Sequence, residues 1–280
     1  MWSNKTNKHL RRFIWFKQWL VEGYTIRQLA HHSGHSISTI RRIIEYWLLQ
    51  PPPEPYPFLE QCISAIIDGT FIKRRKGILA LMNAVNHTML YGAYNVSEEP
   101  RDLGGLFHYL ARRGLSLQYA TVDGNPALSQ ALERQWPQIV LQRCLVHVQR
   151  QGLSWCRRNP KRTDAKHLRR IFLNVMTIRS MSDRNRFLNR VHLWERTHGT
   201  RIAATPEHGY VFSDLKRARN MLLAALPNMF HYLDNPLIAN STNALEGYFS
   251  RLKQRYRQHR GLAPRHRHAY FQWYVSLCTH

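Results

Sequence analysis

Residues 117–126 read Leu117-Gln118-Tyr119-Ala120-Thr121-Val122-Asp123-Gly124-Asn125-Pro126, and the stretch changes period in its middle. Leu117 to Val122 is an apolar, β-branched run that predicts a buried strand ending at Asp123-Gly124. Pro126 to Gln135 then predicts a helix, because proline suits a first turn whose backbone N–H groups have no partner within the helix. A strand that runs through Asp-Gly into a helix belongs to a sheet covered by helices.

The pattern extends both ways. Upstream, Cys62 to Ile67 predicts a buried strand ending at Asp68-Gly69. Ile78 to Val85 and Thr88 to Val96 predict two more strands around a tight Asn86-His87 turn. Pro100 to Arg113 predicts a helix closed by Gly114, and Ile139 to Val146 a fifth strand. Strand, strand, strand, helix, strand, helix, strand is the order of an α/β mixed sheet. From Gln151 to about Asp234 the sequence turns helical and very basic, with Trp155 and Trp194 embedded in it.

Ahead of the sheet, Pro51 to Pro57 predicts a stiff extended linker. Before it, Phe13, Phe16, Trp19 and Leu20 recur at helical spacing up to Gly23, and Ile26, Leu29 and Ala30 line a second short helix. Ser33-Gly34-His35 breaks that helix, Ser36 offers a capping hydroxyl, and Ile37, Ile40, Ile44 and Trp47 stripe a third. The segment resembles a helix-turn-helix, with small Ala30, Gly34 at the turn and Ile40 and Ile43 inside the next helix. Ser38, Thr39, Arg41 and Arg42 lie off the apolar stripe, where a recognition helix would meet DNA. A plain three-helix bundle with solvated basic residues fits the same pattern. The expected organisation is 1–50 for these helices, 51–57 for the linker, 58–150 for the first part of the sheet domain, 151–235 for a helical insertion and 236–280 for the rest.

The chain has 280 residues, 41 Lys+Arg against 17 Asp+Glu and a net charge of +24. A surface this positive repels itself unless a polyanion is its partner, and nucleic acid is the commonest polyanion. A hydrophobic fraction of 44% is globular composition and excludes a wholly disordered basic tail. No run of roughly 20 consecutive apolar residues occurs, so no membrane span is expected. Cys62, Cys144, Cys156 and Cys278 form no Cys-x-x-Cys pair, which points away from a disulfide framework and toward a reducing, cytoplasmic setting.

With so few acids, their placement is informative. Asp68 and Asp123 each follow a buried apolar strand, and residues beyond strand ends converge on one edge of an open sheet. Two carboxylates there could share Mg²⁺, which takes oxygen ligands. Asp-Gly is also a common hairpin-turn dipeptide, and the residues alone leave both readings open. Glu246 is the candidate third carboxylate. Its spacing from Asn243 also suits a helix cap.

Four segments together resemble the transposases of the bacterial insertion-sequence and Mutator-like group: Ile67-Asp68-Gly69-Thr70, Val122-Asp123-Gly124-Asn125, Cys144-Leu145-Val146-His147 and Asn243-Ala244-Leu245-Glu246-Gly247. The resemblance implies an RNase H-like fold with an all-helical insertion after the fifth strand, preceded by a helix-turn-helix. It implies an Asp68, Asp123, Glu246 triad holding two Mg²⁺ ions, with Mn²⁺ able to substitute. The reaction implied is cleavage at the element ends by water, then attack of the freed 3′-hydroxyl on target DNA. The partners implied are double-stranded DNA, as element ends and as target, and further copies of the chain, at least a dimer. The setting implied is the cytoplasm of a prokaryote, at the nucleoid.

On the same resemblance His147 orients DNA or a carboxylate near the ions, and Trp155 in the insertion stacks on an unpaired base. If Glu246 is a ligand on a first helical turn, Arg251 and Lys253 lie downstream of it to hold the DNA backbone. Cys144 and His147 alone do not make a zinc site. A packed cysteine, a helix-start histidine and a core tryptophan are the plainer alternatives. Lys161, Arg162, Lys166, Arg169 and Arg170 form a helical basic run suited to phosphates. Relatives often carry a cysteine-rich zinc ribbon ahead of the helix-turn-helix; none precedes Thr25 here, so a shortened amino terminus is expected. A catalytically inactive DNA-binding derivative and an RNase H-like nuclease that cuts without joining are the competing functions.

Overall fold

The computed structural model describes residues 2–53, 59–73, 76–95, 99–205, 210–259 and 261–279. Residues 54–57 of the expected linker, and Val96 at the end of the third expected strand, lie outside them. In chain order, α1 (Trp2–Lys17), α2 (Ile26–Ser33) and α3 (Ile37–Leu48) precede β1 (Ser64–Lys73), β2 (Lys76–Asn83) and β3 (Met89–Tyr94). Then come α4 (Pro100–Arg112), β4 (Tyr119–Val122), α5 (Pro126–Gln135) and β5 (Val140–Arg143). The helices α6 (Leu145–Trp155), α7 (Thr163–Leu173), α8 (Met181–Trp194), α9 (Thr200–Ala203), α10 (Tyr210–Ala225) and α11 (His231–Asp234) follow. The chain closes with α12 (Asn243–Gln258) and α13 (Arg267–Leu277).

The strands form a five-stranded mixed sheet in the order β3-β2-β1-β4-β5, so the fold is mixed α/β. β2 and β3 pair antiparallel, while β1 with β4 and β4 with β5 pair parallel. Two expectations are corrected here. β1 does not stop at Ile67: its pairing with β4 ends at Ile66↔Thr121, but β2 on its other side carries it on through Asp68-Gly69 to Lys73. The fifth strand stops at Arg143, paired with Val122 at the end of β4, and Cys144-Leu145-Val146 opens α6 instead. A short apolar run fits either state, and here the length of the neighbouring strand decided.

The chain divides into two compact units, 1–62 with 68–115 and 244–280, and 63–67 with 116–243. In the first, α1 runs into one π-helical turn, Gln18–Glu22, and ends at Gly23 with φ 79°. The left-handed backbone angle is what calls for glycine at Gly23; a Cβ there would only push aside the end of the Gln258 side chain. Thr25 and Gln28 form a reciprocal capping box on α2, Gly34 turns the chain at φ 66°, and Ser36 caps α3. Ile40, Ile43, Ile44 and Leu48 are buried, while Ile37, expected on that stripe, is 41% exposed at the helix start.

The same unit brings both ends of the chain together. Phe13 packs edge-on against Trp47, and Phe16 edge-on against Trp273 of α13. The Trp273 indole N–H donates to the carbonyls of Trp47 (2.8 Å) and Gln50 (3.0 Å). The buried His259 ring bonds the carbonyl of Trp19 at 2.9 Å; burial pulls its pKa down to about 4, so it is neutral and donates.

In the second unit a helical core gathers Val148, Leu168, Phe172, Phe187, Val191 and Trp194 from α6, α7 and α8. Gly152 lets α7 approach: a Cβ there would be 2.2 Å from the Phe172 ring. Asp164, 2% exposed, is gripped by Arg162, Arg201 and the Ala165 N–H, and its carbonyl accepts from the Trp194 indole. The segment leading to α12 is tied to the strands: Ser64 Oγ donates to the Leu237 carbonyl (2.7 Å) and Thr121 Oγ1 to that of Ala239 (2.6 Å). The Leu145 N–H donates to the Asn240 carbonyl at 2.9 Å.

Candidate active site

Asp68 sits inside β1, 6% exposed, its Oδ1 accepting the Gly69 N–H at 2.8 Å. Glu246 is half-buried on the first turn of α12. The two residues belong to the same unit, and each offers a carboxylate oxygen within 4.8 Å of the other's. Helix α12 is already formed at Asn243, so Asn243 is its first residue rather than its cap; Glu246 falls one position past the partner of a cap at Thr242, and the capping reading is corrected. Two carboxylates this close repel when both are charged, and hard oxygen donors are what Mg²⁺ takes; the residues fit that ion. Further along α12, Lys253 donates to the Thr70 hydroxyl, and exposed Arg251 stands 5.9 Å over the Tyr248 ring.

Asp123 lies in the second unit, on the turn between β4 and α5. Its Oδ1 accepts the Asn125 N–H at 2.9 Å, and Asn125 in turn caps α5. Gly124, at φ 94°, is covered by the Arg143 guanidinium: a Cβ on that glycine would stand 1.0 Å from Nη1. Burial lowers the pKa of Arg143, with the Asp123 charge opposing the shift. Asp123, Arg143, His147 and Arg150 line one cavity of about 900 Å³ within this unit. Neither arginine was singled out from sequence; nothing but the glycine after Asp123 could have pointed to the space Arg143 fills.

Cys144 is fully buried, and the Thr242 N–H reaches its Sγ at 3.3 Å. Burial pushes the thiol up, but hydrogen bonds from His147 and Thr242 outweigh it and leave the pKa below its ordinary value. The Thr242 hydroxyl also lies 3.5 Å from His147 Nδ1.

On α3, Arg41 and Arg42 are exposed, while the Ser38 and Thr39 hydroxyls each lie 2.9 Å from that of Ser36. Trp155 is half-buried against the helical core. Of the basic run, Lys161, Lys166 and Arg170 are exposed, whereas Arg162 is committed to Asp164.

A family model described as transposase, Mutator family, matches residues 92–267. The chain belongs to the Mutator family of transposases. The match to this family spans Asp123, Cys144, His147 and Glu246 and begins beyond Asp68. No curated protein matches the chain. Membership of a transposase family carries DNA binding with it. No helix among the described residues is long and apolar enough to cross a membrane.

Proposed function

We propose that this Mutator-family chain is a DDE transposase: it cleaves DNA at element ends in a Mg²⁺-dependent reaction and transfers the freed 3′-hydroxyl to target DNA. Asp68, Asp123 and Glu246 are its catalytic carboxylates, on an RNase H-like sheet. The observation that carries this reading is the approach of Asp68 and Glu246, distant in sequence, to within 4.8 Å on hard oxygen atoms. Register supports the inclusion of Asp123. Ile66 and Thr121 are partners on parallel strands, and Asp68 and Asp123 each follow two residues later.

Two Mg²⁺ ions, when bound, supply Lewis acidity to the attacking and leaving oxygens of an in-line displacement. The chain's own part is positioning. The Gly69 and Asn125 N–H groups fix one oxygen each of Asp68 and Asp123. Water attacks first and the 3′-hydroxyl second, so one site performs both phosphodiester transfers. The α2–Gly34–α3 segment supports the helix-turn-helix reading: two capped helices meet over a left-handed turn and leave Arg41 and Arg42 open to a major groove. Holding two element ends requires at least a dimer.

The test is a strand-transfer assay with Mg²⁺, comparing the parent with Asp123→Asn. Joined products that the variant loses support the proposal. Cleavage without joining identifies a nuclease, and DNA binding without products identifies an inactive derivative.

A further inference from the structure

Arg143 ends β5, and its guanidinium occupies the space that Gly124 leaves for want of a side chain. Its Nε is fully buried and has no hydrogen-bond partner among the described residues. A guanidinium carries its charge at any physiological pH, and holding it partly buried is costly unless an anion lies beside it. Arg150 and His147 line the same cavity, and Asp123 is the acid beside them. On the proposed function the charge of Asp123 is committed to the cation, which leaves Arg143 to an anion from outside; this step alone rests on that reading.

We propose that Arg143 seats a backbone phosphate of bound DNA in the cavity beside Asp123. Planar forked donors match a phosphate's oxygens, and Arg150 adds a second cation to the lining of the same cavity. Gly124 is then part of the seat, since any side chain there would displace the guanidinium.

Binding measurements on the full chain in EDTA test this apart from catalysis. The probe is a short DNA duplex of arbitrary sequence. The Arg143 Nε–H resonance, assigned by its loss in Arg143→Lys, is expected to shift saturably as duplex is added and to stay put with a neutral methylphosphonate duplex. Arg143→Gln is expected to weaken duplex binding about tenfold and to lower the slope of log affinity against log salt by about one, whereas Arg143→Lys keeps the slope. A resonance that stays still while duplex binds, or an unchanged slope in Arg143→Gln, overturns the proposal. Should Arg143→Gln not fold, the wild-type resonance decides. If these shifts occur but strand transfer fails, the catalytic reading falls and the phosphate seat stands; the opposite pattern removes the seat alone.

Discussion

The indole N–H of Trp273, four residues from the end of α13, donates to the carbonyl of Trp47, one residue from the end of α3. A residue near the carboxyl terminus thus closes the aromatic cluster of the amino-terminal helices, and it also satisfies the carbonyl of Gln50. Trp273→Phe keeps most of the apolar contact but removes the indole donor from both carbonyls, of which that of Trp47 still accepts the Gln50 N–H. It should destabilise the protein by about 1–3 kcal/mol. Limited proteolysis should then cut earlier near Gln50; an unchanged digestion pattern and melting temperature would contradict the role given to this bond.

His259 supplies a pH dependence with a definite sign. Its folded pKa, about 4, lies below the ordinary value of 6.5, so the folded state binds fewer protons than the unfolded one. The stability it contributes is complete above about pH 6.5 and declines as pH falls toward 4, by up to about 3 kcal/mol. Denaturant titrations at pH 7 and pH 5, compared between the parent and His259→Gln, should show a smaller acid loss in the variant. Equal losses would mean that the imidazole is not buried as described.

Gly152 in α6 tests the helical core. Alanine is the better helix former by about 1 kcal/mol, yet a Cβ at this site would press into the Phe172 ring. Gly152→Ala should therefore destabilise the second unit by about 1–3 kcal/mol, and Gly152→Ala with Phe172→Leu should recover part of that. Stabilisation by the single substitution would show that the two helices do not meet there.

Much of this was legible in the sequence. Strands around residues 64–67, 78–83, 89–94, 119–122 and 140–143, and the Pro126 helix, followed from apolar runs and the Pro and Asp-Gly signals. The end of β1 did not, because β2 rather than local composition carries that strand past Asp68. Cys144-Leu145-Val146 misled because three apolar residues suit a strand or a buried helix turn equally. The packing of α13 on the amino-terminal helices was invisible, since no local pattern records which aromatic residues will meet. Arg143 was missed for the same reason: its role depends on a glycine in another element.

Removing charge at the candidate site should be visible without any DNA. Asp68 and Glu246 present oxygens within 4.8 Å, a repulsion on the order of 1 kcal/mol that a divalent cation would relieve. Mg²⁺ should raise the melting temperature of the parent. Glu246→Gln should lose most of the Mg²⁺ response. A variant that keeps the full Mg²⁺ shift would place the cation elsewhere.

Iron-mediated backbone cleavage reads out whether Asp68, Asp123 and Glu246 surround shared cations. Fe²⁺ substituted for Mg²⁺, with ascorbate and peroxide, cuts the polypeptide beside the ion. The account predicts fragments ending next to residues 68, 123 and 246, all suppressed by excess Mg²⁺. Cuts at 68 and 246 without 123, or cuts that Mg²⁺ does not suppress, would contradict it.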